Sequence, residues 1–279
     1  MTDLSAGSSD LLRVERSAGF WFARLHRPDK RNALSDELVA GLAGLCDRVA
    51  ADLEARALVL SGSGGHFCAG ADFGGFLALM QTAAGQSDDP IARYNRQFGA
   101  MLERLASLPV PTVAVVTGAA MGGGCGLAAA CDRVIAADDA TFAMPEVTLG
   151  VAPAQIAPFV VRRAGARRAR WLMLSGARLT AEAAREAGLA DIVTPVAGLR
   201  AALEVDLRLL AVTEPAALRA TKRIVNRTLE TSLPASLDAA AQEFAGLLRH
   251  GAAREGIAAT RERRAPGWQV ALPDLPDFP

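Results

Sequence analysis

Two glycine-rich turns hold the residues whose types and spacing best suit chemistry in this chain of 279 residues. Residues 61–72 have the sequence SGSGGHFCAGAD, and residues 118–126 have the sequence GAAMGGGCG. Each turn follows an apolar run typical of a buried strand and leads toward a helix. Such turns leave backbone N–H groups free at the start of the helix, and glycine allows a ligand to approach the backbone. Two of them on neighbouring strands could direct two donors at one oxygen atom, which would form an oxyanion hole.

The second turn also fits another kind of site. Gly124, Gly126 and Ala129 match the dinucleotide fingerprint G-x-G-x-x-G/A, and acidic residues follow at Asp138 and Asp139. A nucleotide-binding function is therefore an open alternative, although it would give residues 68–72 no role. The sequence contains no G-x-x-x-x-G-K-[ST] phosphate loop, which argues against a Walker-type nucleotide site.

The spacing of apolar residues predicts the elements that must position these turns. Apolar side chains recur at helical spacing after a candidate N-cap at Ser35, which predicts a helix to about residue 54. Short buried strands are predicted at residues 57–60, 112–117, 134–137 and 191–194. Four helices are predicted at residues 198–212, 214–230, 234–250 and 252–264. Strand–helix alternation followed by helices indicates an α/β core with a helical C-terminal extension.

Composition excludes several classes of protein. Thirty basic residues balance thirty acidic residues, so no global field favours nucleic acid or an anionic membrane. Residues 110–131 carry no charge, but Pro111 and several glycines disfavour a lipid-facing helix. The four cysteines form no C-x-x-C pair, and we interpret them as reduced thiols in a cytoplasmic protein. Three histidines without an H-E-x-x-H motif predict no metal site.

Two further features have ordinary interpretations. His66 has no serine or acidic partner at a recognisable spacing, so we predict a turn or pocket-edge histidine rather than a catalytic one. A run of arginines is expected on solvated helix faces or at a subunit interface rather than at a nucleic acid. Its members are Arg162, Arg163, Arg167, Arg168 and Arg170.

Five blocks follow one another in the sequence: Arg27-Pro28-x-x-x-Asn32-Ala33-Leu34, Phe67 to Asp72, Gly122-Gly123-Gly124, Cys131-Asp132 and Phe142-x-x-Pro145-Glu146-x-x-x-Gly150. In this order they resemble the enoyl-CoA hydratase/isomerase (crotonase) family. The C-terminal residues Glu255-Gly256, Arg263-Arg264 and Trp268 are also similar to that family's ending. The resemblance covers about residues 10–268, and five blocks in order are far more specific than any one of them.

The resemblance implies an α/β fold of the ClpP/crotonase type, a spiral of repeated β-β-α turns with a helical C-terminal trimerisation region. We expect a flexible N-terminus at residues 1–10, a core with the active site at 11–197, a helical region at 198–268 and a Pro-rich tail at 269–279. The implied partners are an acyl-CoA thioester and further copies of the chain, as a homotrimer or dimer of trimers. No nucleic acid or membrane partner is expected. No separate cofactor is expected either, since coenzyme A is part of the substrate.

The resemblance also implies roles for individual residues. The oxyanion donors would be the N–H groups of Ala71 and Gly123, and Glu146 would be the catalytic carboxylate. Residues expected along the coenzyme A and acyl path are Lys30, Arg31, Ala33, Ala69, Asp72, Phe73, Gly122, Phe244 and Arg263. The last two match positions that reach a neighbouring subunit's coenzyme A in relatives. Tyr94 and Gln155 are candidates for the acyl pocket.

One departure from the family pattern leaves the reaction open. Many hydratases of the family use two glutamates, but Gly126 occupies the position of the first one here. Residues 150–161 are similar to the glutaconyl-CoA hydratase branch, some of whose members also carry glycine at that position. We therefore expect a hydratase of a 3-branched glutaconyl-CoA such as isohexenylglutaconyl-CoA or 3-methylglutaconyl-CoA. An enoyl-CoA isomerase with one glutamate and a catalytically silent thioester-binding protein are the alternatives.

Overall fold

The structure is a computed structural model that describes residues 9–72 and 89–276. These ranges contain nine strands: β1 Leu12–Ser17, β2 Phe20–Leu25, β3 Ala57–Gly62, β4 Thr112–Val116, β5 Ala119–Met121, β6 Arg133–Ala137, β7 Thr141–Ala143, β8 Arg178–Thr180 and β9 Ile192–Thr194. The same ranges contain ten α-helices: α1 Asp36–Ala51, α2 Pro90–Ala106, α3 Gly123–Ala129, α4 Ala157–Ala164, α5 Ala166–Ser175, α6 Ala181–Glu186, α7 Leu199–Ala211, α8 Pro215–Thr228, α9 Leu233–His250 and α10 Ala253–Glu262.

A six-stranded sheet forms the centre of the fold, with the strand order β1-β2-β3-β4-β6-β9. β1 and β2 are an antiparallel hairpin, and the remaining strands add in parallel. A smaller sheet has the order β5-β7-β8. Since β4 ends at Val116 and β5 begins at Ala119, the chain passes from the large sheet to the small one within the second glycine-rich turn.

Side chains of the central strands alternate between two hydrophobic clusters. In β3, Leu58 and Leu60 belong to a cluster with α1, α2 and α3, whereas Ala57 and Val59 belong to a cluster on the other face. Successive side chains of a strand point to opposite faces, so a strand covered on both sides is apolar throughout. The central sheet is therefore buried between two layers, as expected for the predicted α/β core.

Helix α1 shows how local sequence fixes an element beside the site. The Ser35 hydroxyl accepts a hydrogen bond from the N–H of Leu38 at 3.3 Å, and two acidic residues occupy the first turn. The helix ends at Ala51 rather than near residue 54, and the carboxylate of the next residue, Asp52, accepts the N–H of Glu54 at 3.1 Å. It accepts hydrogen bonds from the guanidinium of Arg16 and the indole N–H of Trp21.

The C-terminal part of the chain closes the second cluster. Leu199, Leu203 and Leu207 of α7 pack there, together with Val270, Leu272 and Leu275 of the segment after α10. Arg56 is buried and joins distant parts of the chain: its guanidinium donates to the carbonyl of Thr213 at 2.9 Å and to the carbonyl of Trp268. The last described residues are thereby tied to the loop that precedes β3.

The fold agrees with the α/β expectation and corrects some details. The uncharged stretch at residues 110–131 is divided among β4, β5 and α3. Within residues 9–72 and 89–276, no helix is both long enough and apolar enough to cross a bilayer. The short strands β5 and β8 were not predicted, whereas β7 coincides with a short extended segment that was expected around Phe142.

Candidate active site

The peptide groups of Cys68 join the two glycine-rich turns. The N–H of Cys68 donates to the carbonyl of Ala119 at 2.8 Å, and the N–H of Met121 donates to the carbonyl of Cys68 at 3.0 Å. Gly124 packs directly on this segment, because a Cβ atom there would lie 2.3 Å from the Cys68 carbonyl oxygen. The predicted proximity of the two turns is therefore present, and backbone hydrogen bonds fix it.

Asn32 anchors the first turn from the other side. The side chain is fully buried, and its amide nitrogen donates to the carbonyls of Ser63 at 2.9 Å and His66 at 2.7 Å. Its amide oxygen accepts the N–H of Arg27 at 2.8 Å. The backbone of Asn32 has φ of 57°, a left-handed conformation that asparagine tolerates better than most residues. This side chain therefore holds the turn in place against residues 27–32.

The N–H of Ala71 points away from its neighbouring segment. Leu34 donates to the carbonyl of Gly70 at 2.8 Å and accepts from the N–H of Asp72 at 3.1 Å. In such a parallel bridge the residue between the two bonds directs its own N–H to the opposite side. Gly70 lies against the second turn, since a Cβ atom there would be 2.6 Å from the Met121 carbonyl oxygen and 3.5 Å from the Gly123 nitrogen.

The N–H of Gly123 is one of the donors that the start of α3 leaves without an intrahelical partner. The first hydrogen bond of the helix runs from the N–H of Gly126 to the carbonyl of Gly122 at 3.0 Å. The N–H groups of the residues before Gly126 therefore have no acceptor within the helix. The N–H of Gly122 is already used, because it donates to the carbonyl of Ala143 at 2.8 Å. Gly122 adopts φ of 50° and ψ of −117°, which a residue with a Cβ atom rarely adopts.

The carboxylate of Glu146 lies beside this helix start. Glu146 follows β7 in a short 3-10 helix, Pro145–Leu149, and its Oε1 atom would be 2.9 Å from a Cβ atom at Gly122. Its Oε2 atom is buried and has no hydrogen-bond partner among the residues that the structure describes. Burial raises the pKa of Glu146, against a smaller opposing effect of its own backbone N–H. A half-buried carboxylate with a raised pKa next to backbone donors is suited to proton transfer.

Position 126 has no room for a second carboxylate. A Cβ atom at Gly126 would lie 2.1 Å from Cγ2 and 2.6 Å from Cβ of Ile156. Ile156 is buried, so its side chain fills the space that a side chain at position 126 would need. Close packing therefore requires glycine at position 126, and this also excludes a glutamate there.

The same packing argues against the dinucleotide alternative. The glycines of the G-x-G-x-x-G/A match would have to leave space for a pyrophosphate. Here Gly124 faces the carbonyl of Cys68, and Gly126 faces the side chain of Ile156. Both spaces are occupied by the protein's own atoms.

Several predicted binding residues surround the first turn. The N–H of Ala69 donates to the carbonyl of Arg31 at 2.9 Å, and the N–H of Ala33 donates to the carbonyl of Lys30 at 3.0 Å. The side chains of Lys30 and Arg31 are exposed at this edge. Asp72 forms an ion pair with Arg27 at 2.7 Å, so it is held by a cation of the chain itself.

Tyr94 lies on α2 and faces the beginning of α1. Burial, a hydrogen bond to Asp36 and the nearby charge of Asp72 raise the pKa of Tyr94 to about 12, so its hydroxyl stays neutral near pH 7. The charged groups that act on its hydroxyl are thus carboxylates beside the first turn. That its ring lines an acyl pocket stays a prediction.

For three of the predicted binding residues, the described residues show no contact with this site. Phe73 lies outside the described residues. Phe244 is 63% exposed on α9, a helix that packs against α8 and α10. Arg263 ends α10 in a left-handed conformation and is exposed. Their expected contact with a neighbouring subunit's coenzyme A stays a prediction.

The structure adds residues of α2 that the sequence analysis did not assign to the site. The ring of Phe98 would be 3.2 Å from a Cβ atom at Gly123, and Leu34 approaches the same point at 3.0 Å. Gln155, a predicted acyl-pocket residue, donates from Nε2 to Oδ1 of Asn95 at 2.8 Å. Phe98 belongs to the apolar stripe of α2, so periodicity could identify its helix face but not its contact with residue 123.

The histidine and the arginine run have structural partners. The N–H of Ala119 donates to Nδ1 of His66 at 3.2 Å, which agrees with a turn histidine. Arg163 was expected on a solvated helix face or at a subunit interface, but its side chain is only 9% exposed and bonds within the chain. Its guanidinium donates to the carbonyls of Leu189 and Cys131, each at 2.8 Å, and pairs with Asp191. It therefore ties α4 to the segment before β9, whereas Arg167, Arg168 and Arg170 are exposed.

Comparison with known proteins agrees with the family resemblance of the five sequence blocks. Residues 15–271 match the model of the enoyl-CoA hydratase/isomerase family. The chain is similar to an enoyl-CoA hydratase/isomerase of Marinobacter aquaeolei, with a TM-score of 0.90, 38% identity and coverage of 93% of this chain and 99% of that one. It is similar to AtuE of Pseudomonas aeruginosa, with a TM-score of 0.88, 40% identity and coverage of 92% and 99%. A 2,3-dehydroadipyl-CoA hydratase of Escherichia coli K12 is 33% identical over 260 residues, with coverage of 92% and 98%.

The anchoring role of Asn32 can be measured as stability. Asn32→Ala removes one buried hydrogen bond and two partly buried ones, so we expect the free energy of unfolding to fall by about 2–4 kcal/mol. Urea unfolding followed by circular dichroism measures this change. The matched control is Arg31→Ala, which alters an exposed neighbour that is also left-handed, with φ of 48°. Equal losses in the two variants would assign the effect to backbone conformation and contradict the anchoring role.

The packing of Gly126 predicts non-additive stabilities. Gly126→Ala drives a Cβ atom into Ile156, so we expect a loss of about 1–3 kcal/mol. Gly44→Ala is the control, because nothing lies within 4 Å of a Cβ atom there and a helical alanine stabilises by about 0.5–1 kcal/mol. The double variant with Ile156→Ala should be more stable than the sum of the two single changes predicts, by about 0.5–3 kcal/mol. Strict additivity would mean that the two side chains do not compete for this space.

Proposed function

Since the chain belongs to the enoyl-CoA hydratase/isomerase family, we propose that it adds water to the double bond of an α,β-unsaturated acyl-CoA with Glu146 as its only acid–base residue. One observation carries the proposal. The carboxylate of Glu146 and the start of α3 meet at Gly122, where the first glycine-rich turn also approaches. A proton-transfer group and backbone donors thus lie at the same point.

The proposed reaction begins with the thioester oxygen at the N–H groups of Ala71 and Gly123. The Glu146 carboxylate removes a proton from water while the water oxygen bonds to the β-carbon. The π electrons move toward the carbonyl, and an enolate forms whose negative oxygen the two N–H groups stabilise. One donor of this kind is worth about 3 kcal/mol of barrier in a well-studied hydrolase. Glu146 then returns its proton to the α-carbon, so that one carboxylate completes the addition of water.

Isomerisation is the second candidate, and one observation favours it. Moving a double bond needs a single base that carries a proton between two carbons. The packing of Ile156 against Gly126 leaves Glu146 without a carboxylate partner from α3. A silent thioester-binding protein is the remaining alternative. It is less well supported, because the buried carboxylate of Glu146 costs stability when it is ionised and a binding protein gains nothing from it.

For the substrate, we propose a 3-branched glutaconyl-CoA such as isohexenylglutaconyl-CoA. The similarity of residues 150–161 to the glutaconyl-CoA hydratase branch supports this proposal. A relative named 2,3-dehydroadipyl-CoA hydratase adds support, since adipyl groups, like glutaconyl groups, end in a second carboxyl group. Crotonyl-CoA lacks that carboxyl group. Equal rates on crotonyl-CoA and on a glutaconyl-CoA would refute the substrate assignment while leaving hydration intact.

We also propose that the chain assembles as a homotrimer or a dimer of trimers. Exposed apolar side chains on α9 support this, since Leu233, Leu237 and Phe244 are each more than half exposed in the single chain. Sedimentation velocity measures the state directly. A monomer that remains fully active would contradict a contribution of Phe244 and Arg263 to a neighbouring site.

The deciding experiment is an assay of the wild-type protein on a panel of enoyl-CoA and glutaconyl-CoA esters. Hydration removes the conjugated double bond, so the ultraviolet absorbance of the enoyl thioester falls. Mass spectrometry of the product then distinguishes the two reactions, because hydration adds the mass of one water and isomerisation adds none. Loss of absorbance without added mass would select isomerisation, and no change on any ester would select the silent protein.

Removal of the carboxylate tests the role of Glu146. Glu146→Gln keeps the shape of the side chain but cannot accept a proton, so we expect kcat to fall by about 10²–10⁴. Affinity for a saturated acyl-CoA, measured by calorimetry, should change little. The matched control is Glu182→Gln, whose carboxylate is exposed on α6 and pairs with Arg185. Near-wild-type activity of Glu146→Gln would end the proposed mechanism.

The raised pKa of Glu146 predicts two pH dependences of opposite sense. The base acts when ionised, so kcat/KM should fall on acidification at a pH above the range of a solvent-exposed glutamate. A carboxyl pKa that is higher in the folded state means that ionisation costs stability. The wild type should therefore lose stability relative to Glu146→Gln as pH rises from the unfolded-state pKa to the raised one, and the difference should then stay constant. Thermal unfolding at several pH values measures it, and a stability difference between the two proteins that does not change with pH would contradict the burial argument.

A further inference from the structure

Two side-chain amides lie beside the place where the second acid is missing. Nε2 of Gln155 donates to Oδ1 of Asn95, which fixes the two amides relative to each other. Gln155 packs against α2 at Gly99, where a Cβ atom would lie 1.9 Å from its Oε1 atom. Any other residue at position 99 would displace the amide. The absence of a side chain at Gly99 therefore makes room for Gln155, as it does at Gly126 for Ile156.

The position of this amide pair follows from contacts on both sides. Asn95 and Phe98 are three residues apart and share a face of α2, and the Phe98 ring reaches Gly123. On the other side, Gln155 directly precedes Ile156, which covers Gly126. Gly122, beside the Glu146 carboxylate, lies one turn before Gly126, a rise of about 6 Å. The amide pair is therefore on the side of the site where α2 and the residues before α4 approach α3.

The atoms left over from the hydrogen bond between the amides are an acceptor and a donor. Oε1 of Gln155 and Nδ2 of Asn95 make no hydrogen bond with any other group in the described part of the chain. Both residues are half-buried, and neither atom is among the buried polar atoms that have no partner in the described part of the chain. The chain thus presents two open hydrogen-bonding positions on the wall next to Gly126.

We infer that the Asn95–Gln155 pair orients the water molecule that adds to the β-carbon, a positioning role that rests on the proposed hydration. The water donates one O–H to Glu146 and the other to Oε1 of Gln155, and it accepts the N–H of Asn95. Its remaining lone pair then faces the β-carbon. When the C–O bond forms, the proton directed at Glu146 moves to the carboxylate and the other stays as the product hydroxyl, so atoms and charges balance.

Electrostatics explains why a neutral pair suits this site. A second carboxylate close to Glu146 would raise its pKa further, since like charges disfavour ionisation of both groups. Amides supply an acceptor and a donor without adding charge. The Glu146 carboxylate can then stay ionised at a lower pH than it would beside another acid, and this matters because one base must carry both proton transfers.

The test separates hydration from proton transfer at carbon. Gln155→Met removes the acceptor at similar volume, and Asn95→Leu removes the donor. For each variant we would measure hydration of enoyl-CoA esters and, separately, exchange of the α-protons of butyryl-CoA in D₂O. Exchange needs Glu146 and the oxyanion donors but no oriented water. We expect kcat for hydration to fall by about 10- to 100-fold with little change in KM, while exchange stays within about threefold of wild type.

Two further variants sharpen the comparison. Gln97→Met changes an exposed glutamine on the same helix, and it should leave both reactions unchanged. Gln155→Glu restores an oxygen acceptor, so it should hydrate faster than Gln155→Met, with the acidic limb of its pH profile shifted upward. This partial recovery would not occur if residue 155 only filled space.

The possible outcomes have distinct meanings. Equal losses of hydration and exchange would show a structural disturbance and overturn the inference, as would unchanged hydration in both single variants. A higher KM with unchanged kcat, limited to esters with a second carboxyl group, would assign the amides to substrate recognition instead. A wild-type protein that exchanges α-protons but hydrates no ester would refute the proposed hydration itself, and with it any water to orient.

Discussion

The peptide unit of Cys68 is the constraint on which the rest of the site depends. Its N–H and carbonyl bond to the two ends of β5, so the first turn acts as an additional short strand beside the small sheet. The position of Ala71 then follows from Cys68 through three residues, and the position of Gly123 follows from Met121 through two. Donors carried by the backbone cannot be adjusted by rotamer changes. Their relative placement therefore depends on this pairing and on Asn32, which fixes the other side of the turn.

Missing side chains shape this site as much as present ones. Four glycines each leave a space that a different group fills: the Cys68 carbonyl at Gly124, the Glu146 carboxylate at Gly122, Ile156 at Gly126 and Gln155 at Gly99. Close packing makes each of these spaces specific, because interiors tolerate few voids and little overlap. The glycines therefore set which groups meet, and only some of them serve the conformation of a turn.

The sequence predicted the parts of the fold that depend on local chemistry. The cap at Ser35, the apolar stripe of α1 and the glycine-rich turns all lie where expected, because short-range spacing and backbone freedom determine them. The short strands β5 and β8 were missed, since three residues carry too little periodicity to indicate a strand. Contacts between distant residues, such as Phe98 with Gly123 or Arg163 with Cys131, have no local signal. Phe244 and Arg263 illustrate a further limit, because their predicted partner is another copy of the chain.

The buried guanidinium of Arg56 has a consequence for how the chain folds during its synthesis. It joins residues separated by 212 positions, and the apolar side chains that follow Trp268 close the same face of the central sheet. A nascent chain on the ribosome cannot make these contacts until Trp268 has emerged. Helix α7 already covers part of the face lined by Phe20, Val59 and Val115, and the segment that follows Trp268 adds the rest of the cover. The hydrophobic layer is therefore completed only after that segment has left the ribosome, and until then the growing chain offers chaperones an apolar surface.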